Sequence, residues 1–248
     1  MNMRLAVFGD IHANLEALQA VLADMEKRQV DRFMCLGDLV GYGASPNECI
    51  ELVRNLPKSN CVLGNHDAAA VWLYSPYSMS KDAQKAILWT MDQLTEENRA
   101  YLKKLHQKIS MLDLLFVHAN PYNPGAYRYV TDKKYALRSF AAVKSRFVFL
   151  GHSHRPLVIT KQNFFQVRFQ TPEANRPVPL SRRRKQIINP GSVGQPRDND
   201  TRASYCVYDT RANQMELYRI EYDYKKAGQR ILDAGLPPYL AQRLALGK

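Results

Sequence analysis

The sequence is short of several things, and each shortage excludes something. Its 248 residues contain four cysteines, Cys35, Cys49, Cys61 and Cys206, and no Cys-x-x-Cys pair. That argues against a disulfide framework and against a Cys-type structural zinc site. Cys35 and Cys61 lie in apolar runs, as small buried hydrophobes do. No apolar run approaches the ~18–20 residues of a membrane span. The stretch Leu5–Phe8 after Arg4 is too brief for a signal-peptide core and lacks a small-residue cleavage site. The expected location is therefore the cytoplasm, with no membrane partner. Internal repeats and low-complexity segments are absent. Acidic residues are outnumbered, with 23 Asp and Glu against 35 Lys and Arg and a formal charge of +12. Such a surface attracts polyanions, nucleotides or nucleic acid, without naming one.

What is present reads first as α/β. Arg4–Phe8 is a short apolar strand ending at Gly9, and Leu15, Leu18, Leu22 and Met25 mark one face of a helix. Asn14 stands where an N-cap would. Arg32–Leu36 and Asn60–Leu63 are further strands, with a helix opened by Ser45-Pro46 between them. This βαβαβ order predicts parallel strands. Residues 68–106 read as helical, Leu114–His118 as a strand, Asp132–Val143 as a helix and Phe147–Leu150 as a strand. Beyond His154 the pattern changes. Leu157–Thr160, Phe164–Phe169, Gln186–Ile188, Ser204–Asp209 and Met215–Ile220 read as hairpin-linked antiparallel strands, with Thr171–Pro179 an exposed loop. Short helices near Tyr224–Leu232 and Pro237–Leu244 close the chain. A single domain over residues 1–248 is the simplest account.

Five of the six histidines fall in polar clusters directly after predicted strands: Asp10-Ile11-His12, Gly64-Asn65-His66-Asp67, His118, and Gly151-His152-Ser153-His154; Gly37-Asp38 is a fifth cluster. Strand ends are where an α/β sheet exposes functional groups. A glycine just before them lets the backbone turn sharply. Asp, His and Asn without cysteine suit a catalytic site for Mn, Fe, Zn or Ni. Two such ions ~3.5–4 Å apart can clamp both the attacking and the leaving oxygen of a displacement.

The order Asp-x-His, Gly-Asp, Gly-Asn-His-Asp, His, Gly-His-x-His resembles the calcineurin-like metallophosphoesterase superfamily. The stretches Asp10–Leu18, Asn189–Asp198 and Ala234–Pro237 resemble a bacterial branch grouped with diadenosine tetraphosphatases and small phosphodiesterases. The resemblance implies two facing mixed β-sheets flanked by helices. It implies two divalent ions, with manganese foremost. Asp10, His12, Asp38 and His154 would hold the first; Asp38, Asn65, His118 and His152 would hold the second, Asp38 bridging. A metal-bridging hydroxide would be the nucleophile. His66 would face the substrate and assist the leaving oxygen, and Asp67 would orient the His66 imidazole. Many relatives carry glycine where this chain has Ala13.

The implied activity is hydrolysis of a phosphomonoester or phosphodiester, with a small phosphate ester or nucleotide as substrate. Two other classes stay open: a non-catalytic scaffold on the same fold, and a nuclease, which the charge motivates but no added DNA-binding module supports. The remaining features read mainly as structural. Asn189-Pro190-Gly191-Ser192 is expected as a turn beneath the Gly-His-x-His loop. His106 is expected at the surface, and Phe164, Phe165 and Phe169 in the core. Arg155 is either a phosphate contact or a solvent-facing strand start. Arg182–Lys185 reads as a solvated hairpin, with a handle for nucleotide or nucleic acid as the alternative. The oligomeric state is not readable from the sequence.

Overall fold

The computed structural model describes residues 2–248. In chain order the elements are β1 (Arg4–Phe8), α1 (Leu15–Lys27), β2 (Arg32–Cys35), α2 (Pro46–Asn55), β3 (Ser59–Cys61), α3 (Asn65–Ala70), α4 (Lys81–Gln93), α5 (Glu96–Lys104), β4 (Lys108–Met111), β5 (Leu114–Val117), α6 (Lys133–Ala141), β6 (Phe147–Phe149), β7 (Pro156–Lys161), β8 (Val167–Gln170), β9 (Pro177–Pro179), β10 (Gln186–Pro190), β11 (Ala203–Asp209), β12 (Gln214–Ile220), α7 (Tyr224–Asp233) and α8 (Pro238–Leu244). They form two mixed six-stranded sheets, ordered β3-β2-β1-β11-β12-β9 and β4-β5-β6-β10-β7-β8.

The period-2 alternation of the strands builds the layers. In β1, Leu5 and Val7 enter the core between the sheets, while Ala6 and Phe8 pack outward under the helices α1 and α2. In β5, Leu114 and Phe116 face the other sheet, and Leu115 and Val117 pack with Ala136 and Phe140 of α6. The strands therefore bury both faces, which is why they read as continuous apolar runs. No helix is long and apolar enough to cross a membrane among the described residues.

β1, β2 and β3 are parallel, as the βαβαβ order predicts. The later strands pair mainly antiparallel, but β10 runs parallel to β6, and β11 pairs antiparallel with β1. Three local readings change. β4 is an added edge strand paired with β5. The Pro-rich stretch expected as loop contains β9, a Pro-Val-Pro edge strand on β12, where a missing N–H does little harm. The strand expected over Phe164–Phe169 begins only at Val167. Phe164 and Phe165 lie at the hairpin tip, 83% and 78% exposed, and Phe169 on β8 is 38% exposed, so none of the three is in the core.

Because β1, β2, β3, β5 and β6 are parallel pairs within their sheets, the loops after them gather at one end of the sandwich. That end carries all five polar clusters.

Candidate functional site

The structure brings Asp10, His12, Asp38, Asn65, His66, His118, His152 and His154 together. His12 Nε2 lies 3.1 Å from His154 Nε2, which is 3.6 Å from Asp10 Oδ1. His118 Nε2 lies 3.3 Å from Asp38 Oδ2, 3.0 Å from Asn65 Oδ1 and 3.2 Å from His152 Nδ1. Asp38 Oδ2 is also 3.7 Å from His12 Nε2, so it stands between the two groups. Three overlapping sets, Asp10-His12-His154, His12-Asp38-His66 and Asp38-His118-His152, have ligand atoms close enough to share an ion.

The outer contacts of these rings decide what faces inward. Val40 O lies 3.2 Å from His12 Nδ1, Leu36 O 2.7 Å from His118 Nδ1, and Gln195 O 2.6 Å from His154 Nδ1. A carbonyl only accepts, so each Nδ1 carries the hydrogen, and each Nε2 of a neutral ring presents a lone pair to the centre. Burial is the main cause that holds His12 and His154 well below the ordinary imidazole range, so both are neutral at pH 7. Lone pairs of His12 and His154 thus face each other beside two carboxylates and an amide oxygen. Between His12 and His154 acceptors converge with no donor hydrogen, which is the arrangement a cation satisfies. Burial would raise Asp38, but His118 and His66 outweigh it and hold the carboxyl well below its usual range. Burial opposes a charge on His118, yet Asp38 pushes it up to about 10. Burial, with Asp38 beside it, moves Asp10 up to about 7 against the pull of His118. The cluster demands positive charge at its centre.

The backbone here is strained. Asp10, His12, Asp38, His152 and His154 all have φ between 50° and 67°, and so does Ala13 at 50°. Ala13 is held in the left-handed region that favours glycine. The glycines beside the clusters serve close approach as well as turning. A Cβ on Gly64 would meet Asp38 Oδ1 at 2.1 Å, although its φ is an ordinary −85°. A Cβ on Gly151 would meet Asp10 Oδ2 at 2.6 Å.

Asp67 does not hydrogen-bond His66. Its carboxylate accepts from the backbone N–H groups of Asp38 (2.8 Å), Leu39 (2.8 Å), Val40 (3.2 Å) and Gly64 (3.1 Å). As the third residue of α3 it reaches back to the helix start and grips the Asp38 loop. It is a positioning residue for Asp38. His66 Nδ1 is buried without a partner among the described residues, and the ring packs 4.5 Å from Tyr42 and 4.8 Å from His12. Burial lowers His66 to about 4, so the ring is neutral.

The Asn189–Asp198 stretch packs beneath the site. Asn189 Nδ2 donates to Gly151 O (2.8 Å) and Ser153 Oγ (3.0 Å), and Ser192 Oγ donates to Asp10 O (2.8 Å). Asn14 caps α1 through Ala17 N and ties the same stretch through Gly194 O. Arg155 is exposed and donates to Arg197 O at 2.8 Å, bracing that loop. His106 is exposed, as expected.

A cleft of about 240 Å³ opens on the cluster, with Asp38, Asn65, His66, His152 and His154 in its wall. Tyr42, Tyr74, Tyr127, Tyr129 and Arg197 also line its mouth. Tyr129 stacks on His152 at 4.2 Å. The guanidinium of Arg197 bonds Gln195 Oε1 at 2.7 Å and has no carboxylate partner among the described residues. Sequence reasoning assigned none of these five a role. Their signal is spatial, though Arg197 did stand inside a stretch already singled out.

These features place the chain in a known family. A family model for the calcineurin-like phosphoesterase superfamily domain matches residues 3–213, and the chain belongs to that superfamily. It is 40% identical over 251 residues to an uncharacterized protein of Methanocaldococcus jannaschii, covering 98% of each chain. The crystal structure of a metallophosphoesterase from Sphaerobacter thermophilus superposes over 100% of both chains, with a TM-score of 0.90 and 38% identity. A bis(5'-nucleosyl)-tetraphosphatase of Sodalis glossinidius is 38% identical over 77 residues, which cover 30% of this chain and 27% of that protein.

Proposed function

We propose that this protein is a metal-dependent phosphoric ester hydrolase acting on a small phosphate ester or nucleotide. The carrying observation is the convergence of the His12 and His154 lone pairs, with their ring hydrogens turned outward, beside the Asp10 and Asp38 carboxylates. Asp10, His12, Asp38 and His154 would hold one divalent ion, and Asp38, Asn65, His118 and His152 a second, with Asp38 shared. The oxygen and nitrogen donor set accepts manganese, the ion favoured here, and also iron, zinc or nickel. Two such ions, when bound, supply Lewis-acid charge for phosphoryl oxygens and an activated water.

The chain's own residues would do the rest. Arg197 lines the cleft as an unpaired cation and would orient the phosphate through its fork of N–H donors. Neutral His66 would offer a ring N–H to the leaving oxygen, an interaction that strengthens as charge develops there. The tyrosine walls would exclude water and give a flat organic group something to pack against. The partial likeness to a bis(5'-nucleosyl)-tetraphosphatase supports a nucleotide in that place.

The test uses chelator-stripped protein and two nitrophenyl substrates, the phosphomonoester and the bis-ester, with and without manganese. Manganese-restored diester cleavage assigns a phosphodiesterase, and restored monoester cleavage alone assigns a phosphatase. Failure of metal-loaded protein on both esters and on a dinucleoside polyphosphate overturns the reading.

A further inference from the structure

The end of the sandwich away from the cleft carries a second organised surface. β7 leaves His154 and runs six residues to Lys161, roughly 20 Å at ~3.3 Å per residue. There the chain turns through residues 162–166 into β8. Phe164 and Phe165 stand side by side at the tip and touch no core. The Lys161 ammonium lies 5.3 Å over the Phe164 ring. The Arg182–Lys185 loop packs against this hairpin: Lys161 N donates to Lys185 O at 3.0 Å, and Arg184 Nη1 donates to Gln162 Oε1. A groove of about 390 Å³ runs between β8 and β9, the edge strands of the two sheets. Thr160, Gln162, Arg168, Gln170 and Arg184 are in its walls.

Charge and shape together narrow the occupant. Lys161, Arg168, Arg182, Arg183 and Arg184 have no carboxylate partner among the described residues. Asp113 and Glu173 are engaged by Arg146 and Arg176, each at 2.7 Å. Five uncompensated cations account for a large part of the +12 total. A second copy of this chain would bring the same cations, so self-association through this face is repelled. A flat anionic bilayer could meet the phenylalanines but would leave the groove beside them, with Thr160, Gln162 and Gln186 in its walls, unfilled. An anion with flat apolar faces satisfies every part: phosphates for the cations, π-faces for the rings, base edges for the amides. Four of the five cations are arginine, whose planar fork suits phosphate and stacks on bases. We propose that the Lys161–Arg168 hairpin and the Arg182–Arg184 loop bind single-stranded nucleic acid, with unstacked bases on Phe164 and Phe165 and phosphates on the five cations. The surface tethers the protein to its partner, and the proposal stands independently of the reaction in the cleft.

Fluorescence anisotropy of a labelled twelve-nucleotide oligothymidine with the full chain tests it. Five phosphate contacts on a single strand predict a salt slope near −3.5, so affinity should fall about a hundredfold between 50 and 200 mM salt. Phe164→Ser with Phe165→Ser should weaken binding at least ~10-fold while keeping the slope. Arg183→Ala with Arg184→Ala should instead flatten the slope by about 1.4. All four side chains are exposed, and circular dichroism of the variants checks that they fold. Absence of binding at 50 mM salt overturns the proposal. So does binding that the Phe variants leave unchanged, which would locate the strand elsewhere. Capture by phosphatidylserine vesicles without oligonucleotide binding overturns it in favour of a membrane surface.

Discussion

Asp67→Asn replaces one carboxylate oxygen by an NH2 group where four main-chain donors converge. Oδ1 accepts from Leu39 and Val40, and Oδ2 accepts from Asp38 and Gly64. Whichever way the asparagine amide turns, one pair of N–H groups keeps an acceptor and the other pair faces a donor. The residue is 0% exposed, so water cannot take the vacated place. Each buried donor left without a partner costs ~1–3 kcal/mol, so the pair costs about 2–6 kcal/mol. Against a typical stability of ~5–15 kcal/mol, this is a large fraction.

The assay is urea unfolding of wild type and variant, both chelator-stripped so that metal binding does not add to stability. The expected outcome is a loss of at least about 2 kcal/mol, together with reduced metal uptake, because the loop that Asp67 grips carries Asp38. The competing account has Asp67 acting only through His66. It predicts lower turnover with stability and metal content intact. A stability loss under about 1 kcal/mol alongside impaired turnover would refute the reasoning from the four hydrogen bonds.

Asp38→Asn should weaken both ions at once, because Asp38 stands between the two acceptor groups; metal content equal to wild type by atomic emission would sink the shared-ligand assignment. His66→Ala should keep its metal and lose ~10²–10⁴-fold in kcat, the usual worth of a positioned acid–base group; activity within threefold of wild type would remove His66 from the reaction. Asp24→Asn probes the pH dependence of stability. Burial alone would raise the Asp24 carboxyl, but hydrogen bonds from Arg28 and Tyr205 outweigh it and hold it below its ordinary value. A carboxyl lowered in the folded state stabilises above its unfolded pKa of ~3.9, and that contribution is lost as the pH falls through the folded value. The difference in urea midpoint between wild type and Asp24→Asn should therefore shrink below about pH 4; a difference that stays constant to pH 2 would show that Asp24 does not act through its charge.

The acceptor cluster was legible because each of its members announces itself locally. A buried strand shows as an apolar run, and Asp10, Asp38, Asn65, His118 and His152 follow such runs within a few residues. No distant information is needed to see that they share an edge of a sheet. Asp67 was harder. Its partners on the Asp38 loop are 27 to 29 residues away and are main-chain atoms, which carry no sequence signature. Tyr42, Tyr74, the pair Tyr127 and Tyr129, and Arg197 come from four separate loops, and only the closed fold places them on one cleft. The pairing of β1 with β11 joins residues roughly two hundred positions apart, so composition showed an α/β half and a β-rich half without showing how they combine. Phe164 and Phe165 misled for a related reason. Aromatic residues near a strand are usually buried, but β8 is an exposed edge strand on which even Phe169 is 38% exposed, and Phe164 and Phe165 lie in the turn before it.

Backbone strain explains why the site could be read at all. Among residues other than glycine, Asn, Asp and His enter the left-handed region several-fold more often than the rest. The cluster positions Asp10, His12, Asp38, His152 and His154 all occupy it. At ~1–2 kcal/mol each, five such residues store about 5–10 kcal/mol, as much as many domains have in total. A fold gains nothing in stability from that, so other contacts must hold the loops in place. Asp10 N donates to Gly37 O and His12 N to Asp38 O, and His152 N donates to the Asp10 carboxylate. Three of the five strained residues are thereby fixed by a neighbouring cluster. The mutual restraint turns side chains inward that an ordinary loop would let point to solvent. The donors of a bound ion would then be in place before it arrives, with little reorganisation left for binding to drive.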